Sequence, residues 1–161
     1  MTSQWIVPAL GAAVIICAII SGVFLAFSDF VMKSLTIAQP SVGIVSMQLI
    51  NRKVYRSLFL ILLMGFAAGC LILAYIALVY ISGNASFWVL AGSGIYLLGV
   101  FLVTIIFNVP MNKQLDALDY KSLETAKYWK TYTSSWTRWN HVRTLSSTIA
   151  AICFLVASLS I

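Results

Sequence analysis

Apolar residues in this chain occur in long uninterrupted runs, rather than in the stripe that marks one face of a soluble helix. Runs of about 18 or more apolar residues are typical of helices that cross a membrane. The pattern therefore predicts an all-α fold, a four-helix transmembrane bundle in which residues 1–161 form a single domain. The predicted spans are residues 5–27, 57–81, 87–107 and 136–161, and the last enters its apolar run at about residue 145.

Two longer polar segments, 28–56 and 108–135, lie on one side of the predicted bundle, and the short turn SGNAS lies on the other. All ten lysines and arginines fall in these segments or in the first turns of the fourth span. Positively charged loops stay in the cytoplasm. The charge pattern therefore predicts a multi-pass protein of the cell membrane, with both segments in the cytoplasm and both termini outside.

Helical patterns continue into the polar segments. SVGIVSMQLINRKVYRSLF has almost no Gly or Pro and predicts a helix that leads straight into the second span. NKQLDALDYKSLETAKYW predicts an additional amphipathic helix at the cytoplasmic interface. The Thr and Ser residues of TYTSSW are typical helix caps, so they predict a new helix start near Trp136.

Composition narrows the functional classes. Only 9% of residues are charged, whereas a soluble domain carries about 25%. The net charge is +6, and the basic residues flank the spans instead of forming a basic stripe. Nucleic acid is therefore not an expected partner, whereas membrane lipids are expected partners. The apolar N-terminal run has no preceding basic residue, which indicates a retained span. Cys17, Cys70 and Cys153 lie inside apolar runs and read as packing residues.

Small residues recur at four-residue spacing, which allows helix backbones to approach closely in lipid. Ala18, Gly22 and Ala26 lie in the first span, and Gly65 and Gly69 form a GxxxG in the second. Packing within one chain is the favoured interpretation. A homo-oligomer through Gly65 and Gly69 is the alternative.

Uncharged polar side chains gather where the spans meet the cytoplasmic side. Amides at this depth are costly unless they find partners or line a cavity, so their convergence predicts a binding site. We expect the amides of four helix ends to bond to one another and to Arg143. The predicted network consists of Asn51, Asn108, Asn112, Asn140 and Arg143, and the further candidates for the site are Ser28, Gln48, Trp136, Trp139 and His141.

Spacing sorts these candidates. Trp136, Trp139, Asn140 and Arg143 share one helical stripe, whereas His141 points about 100° away from Asn140 on an ideal helix. Asn108 and Asn112 share a face only if the helix continues through the intervening proline. Simpler roles remain open: interfacial anchors for the Trp residues, lipid contact for the Arg, helix caps for the Asn residues and a structural role for the single His.

Metal chemistry has little support in the sequence. One His and four carboxylates cannot supply a two-His site within one chain. The sequence contains no Gly-rich phosphate loop, no nucleophile elbow and no c-type haem motif. No metal site is therefore predicted, and no cofactor.

Four motifs resemble those of the anthrone oxygenase-like membrane proteins, a family of four-span proteins. The motifs are FSDFVMKSL, MQLIN, NVPMN and YWKTYTSSWTRWNHVRT, and the resemblance covers nearly the whole chain. Lys33 departs from the family pattern, which has a proline there. Family members with assigned chemistry oxidise anthrones with molecular oxygen, so the resemblance implies an oxygenase.

The resemblance implies an oxygenase fold, and we expect it to act on a lipophilic aromatic or quinone-like small molecule with oxygen as co-substrate. This chemistry is possible without a cofactor, because a deprotonated anthrone can react directly with oxygen. Such a reaction needs a base, donors for an oxyanion and an aromatic wall. We expect His141 to be the base, Arg143 to hold the anion and Asn140 to donate a hydrogen bond. The expected substrate contacts are Ser28, Asn51, Asn108, Asn112, Trp136 and Trp139.

Two other functions remain open. The chain could be a non-catalytic accessory or structural subunit whose polar cluster only ties helix ends together. A small transporter is less favoured, because coupled transporters carry ionisable residues well inside a span. A ligand-sized cavity between the helix ends would separate the enzyme from the accessory subunit.

Overall fold

A computed structural model describes residues 3–161 and contains five helices. No strand occurs in this described part of the chain, so the all-α prediction is confirmed. The helices are α1 (Gln4–Ile37), α2 (Pro40–Val54), α3 (Leu58–Tyr80), α4 (Gly83–Ala117) and α5 (Leu123–Leu159).

Four of these helices, all except α2, are long and apolar enough to cross a membrane. Large apolar side chains on their outer surfaces are exposed, among them Ile15, Ile61, Leu71, Leu98 and Leu145. A lipid-facing surface accounts for this exposure, because contiguous apolar area of this extent is unfavourable in water. The protein is a multi-pass membrane protein.

The helices run up and down, so the chain ends meet at one end of the bundle. Ile6 of α1, the turn after α3 and Ser160 beyond α5 line one shallow crevice there. The opposite end, here called the polar end, holds α2 and the loops at 38–39, 55–57 and 118–122. The polar segments of the sequence thus do come together.

α5 is one continuous helix of 37 residues, so the predicted helix start near Trp136 was wrong. The cap is Ser122, whose Oγ accepts a hydrogen bond from the backbone N–H of Thr125 at 3.1 Å. The predicted amphipathic helix over residues 112–129 does not form either. α4 ends at Ala117, and the chain turns before α5 begins.

The fifth helix is α2, which packs against the polar end. Gln48 Nε2 donates to the backbone oxygens of Leu115 and Leu118 at 2.8 and 2.9 Å, and thereby ties α2 to the end of α4. The predicted continuous passage into the second span was wrong. The helix breaks at 55–57, where Ser57 Oγ accepts from the N–H of Leu60 and caps α3.

The small residues that allow close helix packing are Gly92 and Gly99, and not those predicted from the four-residue spacing. A Cβ on Gly92 would lie 3.1 Å from Cys153 of α5, and a Cβ on Gly99 would collide with Ser146. Gly22 and Gly65 have nothing within 4 Å of an added Cβ and are exposed, so they do not pack within the chain. The homo-oligomer through Gly65 and Gly69 stays a prediction.

Wider π-helical turns interrupt α1 at Phe27–Val31 and α4 at Leu97–Leu102 and Thr104–Asn108. Such turns are rare and occur frequently at functional sites. α4 continues through Pro110, which lies two residues after the end of the last π-helical turn. Because that turn already changes the hydrogen-bond register, the missing proline N–H does not end the helix.

Candidate functional site

A cavity of about 360 Å³ lies inside the bundle at the polar end, and all five helices contribute to its wall. The volume falls in the range of about 300–1,000 Å³ that is typical of small-molecule sites. Five of the predicted site residues line it. They are Asn51, Asn108, Asn112, Trp136 and Arg143.

Arg143 places a buried guanidinium against the cavity, and only 5% of the residue is exposed. NH2 donates to Asn140 Oδ1 at 2.6 Å, and NH1 lies 3.5 Å from Thr104 Oγ1. The group sits 4.2 Å from the Phe24 ring centroid and 5.2 Å from that of Trp136. Its Nε has no partner, and no carboxylate within residues 3–161 forms a salt bridge with it.

Asn140 lies behind Arg143 and fixes it to α1. Its Nδ2 donates to the backbone oxygen of Phe24 at 2.6 Å and to Ser28 Oγ at 2.5 Å, while its Oδ1 accepts from Arg143. Every hydrogen of the amide group thus faces α1 and its oxygen faces the guanidinium. Asn140 and Ser28 therefore position Arg143 rather than line the cavity.

The amides do not bond to one another as predicted. Asn112 Oδ1 accepts from Tyr132 Oη at 2.9 Å and from Trp136 Nε1 at 2.8 Å. Asn108 Nδ2 donates to the Trp136 backbone oxygen at 3.3 Å. Only Arg143 and Asn140 bond directly, because Asn108 and Asn112 of α4 bond to groups on α5 instead.

Two of these amides keep an unsatisfied atom. Asn108 Oδ1 and Asn51 Nδ2 have no hydrogen-bond partner among the described residues, although Asn108 is 1% and Asn51 4% exposed. A buried polar atom without a partner costs about 1–3 kcal/mol. Together with Arg143 Nε, they give the cavity two unpaired donors and one unpaired acceptor.

The remaining wall is mostly apolar and aromatic. Phe24 and Phe59 meet edge to face with their ring centroids 5.5 Å apart. The charged residues on the wall are Lys53 and Arg143, and no acidic side chain of the described chain lines it. The cavity therefore combines aromatic surface with positive charge.

The family model for anthrone oxygenase matches residues 54–153, which include α3, α4 and most of α5. This chain belongs to the anthrone oxygenase family. No curated protein and no solved structure matches it. The matched range carries Asn108, Asn112, Trp136, Asn140 and Arg143, whereas Ser28 and Asn51 precede it. The chain is thus an oxygenase-like membrane protein.

His141 does not face the cavity of this anthrone oxygenase family member. Its exposed side chain lines an open depression between α1 and α5, here called the outer groove, with Lys33, Thr36, Thr137 and Arg138. One residue along a helix turns the side chain by about 100°. The turn that brings Asn140 inward therefore carries His141 outward, and the geometry does not support His141 as the base.

Trp139 also lies away from the cavity of this family member. Its ring stacks on Phe107 with centroids 3.6 Å apart and an interplanar angle of 8°. Stacking between α5 and α4 gives Trp139 a structural role. The expectation that it forms the substrate wall is not supported, since the wall uses Trp136 instead.

Several wall residues of this family member carry no signal in the sequence. Phe24 and Thr104 lie within apolar runs, where nothing marks a site residue. Tyr132 lies behind the wall, where it donates to Asn112, and it could have been predicted because Trp129, Tyr132 and Trp136 share the helical stripe that leads to Asn140. No group of three or more metal-ligating side chains occurs in residues 3–161.

Proposed function

We propose that this anthrone oxygenase family member binds a lipophilic aromatic molecule in the cavity and oxidises it with molecular oxygen. The observation that carries the proposal is Arg143, a guanidinium buried beside the cavity with no carboxylate partner among residues 3–161. A buried unpaired cation is unfavourable. An anionic ligand oxygen would supply the missing charge and accept from Nε.

The unpaired amides refine the ligand class. Arg143 Nε and Asn51 Nδ2 require an acceptor, whereas Asn108 Oδ1 requires a donor. A phenolate or enolate oxygen with a hydroxyl group on a neighbouring ring position offers both. The rings of Phe24, Phe59 and Trp136 suit a planar ligand, because aromatic rings stack or meet edge to face.

The reaction needs only proton loss and oxygen. A methylene group beside a conjugated carbonyl loses one proton, and the remaining electron pair spreads onto the carbonyl oxygen, where Arg143 stabilises it. This electron-rich carbon forms a bond to O₂ and gives a peroxide, which takes up a proton. Loss of water with the second methylene hydrogen leaves a carbonyl, so one O₂ yields one quinone and one water.

In this scheme the methylene proton is transferred to water. The wall of the cavity, as far as the structure describes it, holds neither a carboxylate nor an imidazole, whereas the exposed residues Lys53 and Tyr55 do line it. Arg143 favours proton loss by stabilising the anion that results. The same cavity supports a ligand-binding protein over an accessory subunit, because a packing role does not require an open volume.

We further propose that the polar end faces the cytoplasm in the cell membrane. All ten Lys and Arg lie at this end or in the helices that reach it, and this bias determines orientation. The substrate would then partition into the bilayer and reach the cavity at its inner boundary. Both termini lie outside in this arrangement.

The test is oxygen transfer by purified protein in detergent, with a hydroxyanthrone as the probe. Under ¹⁸O₂ we expect faster quinone formation than in a protein-free blank, with one ¹⁸O atom in the new carbonyl group. Spontaneous oxidation is controlled by heat-denatured protein at the same concentration. A rate equal to both blanks, for anthrone and quinol probes alike, would reject the oxygenase.

A further inference from the structure

The outer groove between α1 and α5 is a second concave site, separate from the cavity. It encloses about 650 Å³ and opens towards the surroundings of the bundle. Ser28 lies on its wall, so the groove and the cavity lie on opposite sides of the Asn140–Arg143 pair. We propose that the outer groove binds the phosphate group of an anionic membrane phospholipid.

The charge of the groove is complementary to a phosphate. Lys33 comes from α1, whereas Arg138 and His141 come from α5. The neighbouring acid is Asp29, whose Oδ1 lies 3.6 Å from Lys33 Nζ and weakens the charge of that lysine. Arg138 forms no salt bridge with any carboxylate of residues 3–161, so its guanidinium is available to a ligand.

Hydroxyl groups complete the set of donors. Ser134 and Thr137 line the groove, one helical turn before Arg138 and His141 respectively. A phosphate group accepts several hydrogen bonds, and arginine binds it in bidentate geometry. Two helices thus offer charge and donors to one anion.

The position of the groove along the bundle matches the position of lipid headgroups in a membrane. Ser28 lies roughly 36 Å along α1 from Gln4, and His141 roughly 27 Å along α5 from Leu159, at about 1.5 Å per residue. The hydrocarbon core of a bilayer is about 30 Å thick. If the chain ends lie near one boundary of that core, the groove lies at the other, where phosphates are found.

The apolar surface below the groove suits acyl chains. Leu25 precedes Ser28 by three residues on α1, and Leu145 follows His141 by four on α5, so each lies on the same face of its helix. Leu25 is 54% and Leu145 62% exposed. A phosphate in the groove would therefore continue into lipid contacts along α1 and α5, which distinguishes a phospholipid from a soluble phosphate.

The test measures lipid binding by native mass spectrometry of protein released from neutral detergent, titrated with phosphatidylglycerol or with phosphatidylcholine. We expect tighter binding of phosphatidylglycerol. In the double variant Lys33→Gln, Arg138→Gln this preference should weaken by about 25-fold, given about fivefold for each basic side chain near a membrane surface. The matched control is Lys113→Gln, Lys127→Gln, which removes the same charge from exposed positions at the same end.

Three outcomes would overturn the site: equal binding of the two lipids, an equal loss in the control variant, or displacement of the lipid by millimolar inorganic phosphate. The last result would assign the groove to a soluble anion. The measurement contains no oxygenase substrate, so its failure leaves the proposed reaction untouched. Equally, an inactive protein that retains phosphatidylglycerol through Arg138 would keep the lipid site and reject only the oxygenase.

Discussion

Arg143 NH2 donates a hydrogen bond to Asn140 Oδ1 at 2.6 Å, one turn earlier on α5. Asn140 in turn donates to Phe24 and Ser28 of α1, so contacts between α5 and α1 fix the guanidinium in place. This arrangement holds a positive charge beside an apolar volume before any ligand arrives. Preorganised charge of this kind is the usual source of anion stabilisation in enzymes.

Arg143→Met should separate function from stability. The variant removes an unpaired buried charge but leaves Asn140 Oδ1 without its donor, and these effects oppose each other. We expect the free energy of unfolding to change by no more than about 1 kcal/mol, while oxygen consumption falls at least about 100-fold, as for loss of an oxyanion donor. Thermal unfolding in detergent and an oxygen electrode measure the two effects.

Arg56→Gln is the matched control for that experiment. Arg56 is an exposed arginine at the same end of the bundle and lies outside the cavity wall. We expect wild-type oxygen consumption from it. An equal fall in both variants would mean that net charge, and not the buried guanidinium, governs the reaction.

The relative effects of Arg143→Met and His141→Gln test which side chain acts on the substrate. Only the guanidinium reaches the cavity, whereas the imidazole lines the outer groove. We expect the loss of turnover in Arg143→Met to exceed that in His141→Gln by at least about tenfold. The reverse order would return His141 to the role of base that its sequence position suggested.

Asn112→Leu should destabilise the aromatic wall. Asn112 Oδ1 accepts from both Tyr132 and Trp136, so the variant leaves an indole N–H and a phenol without their partner. We expect a loss of about 2–4 kcal/mol in the free energy of unfolding. Chemical unfolding followed by tryptophan fluorescence measures it, and Asn84→Leu, at the opposite end of the bundle, is the control. Equal stability of the two variants would contradict the assigned hydrogen bonds.

Gly99→Ala should be far more damaging than Gly94→Ala on the same helix. A Cβ on Gly99 would collide with Ser146 of α5, whereas one on Gly94 meets nothing within 4 Å. We expect Gly99→Ala to lower the free energy of unfolding by about 1–3 kcal/mol through overpacking. A similar melting temperature for both variants in detergent would mean that α4 and α5 do not pack this closely.

Orientation is tested by labelling single cysteines from outside the cell. A cysteine at Asn84 should react with a membrane-impermeant maleimide, and one at Lys121 should not, because the two positions lie at opposite ends of the bundle. The natural cysteines are buried and give a low background. Labelling at Lys121 with protection at Asn84 would invert the proposed topology.

The sequence predicted that these polar side chains come together, because burial of amides at a membrane boundary has few explanations. Asn51, Asn108, Asn112, Trp136 and Arg143 were all expected at one end, and the structure places all five on one cavity. The side of each helix that faces its neighbours depends on packing between distant segments. For that reason the pattern could not separate Asn140, which bonds to α1, from His141, which faces outward.

The continuity of α5 could have been predicted. Its buried positions Trp129, Tyr132, Trp136, Asn140 and Arg143 keep one helical phase, which continues to Ala150 and Phe154. A real break between two helices would shift that phase. The Ser and Thr residues of TYTSSW suggested a cap, but such residues are also tolerated inside a helix, where packing outweighs their weak preference.

The length of α5 has a practical consequence for imaging. A bundle of 161 residues with little mass outside the bilayer offers few features for aligning single particles. α5 begins at Leu123 beyond the last polar loop and continues without a break to Arg143 and the bilayer. A rigid helical scaffold inserted at 118–122 and fused in phase with α5 would therefore report the orientation of the cavity itself, and would turn the longest helix into a fiducial.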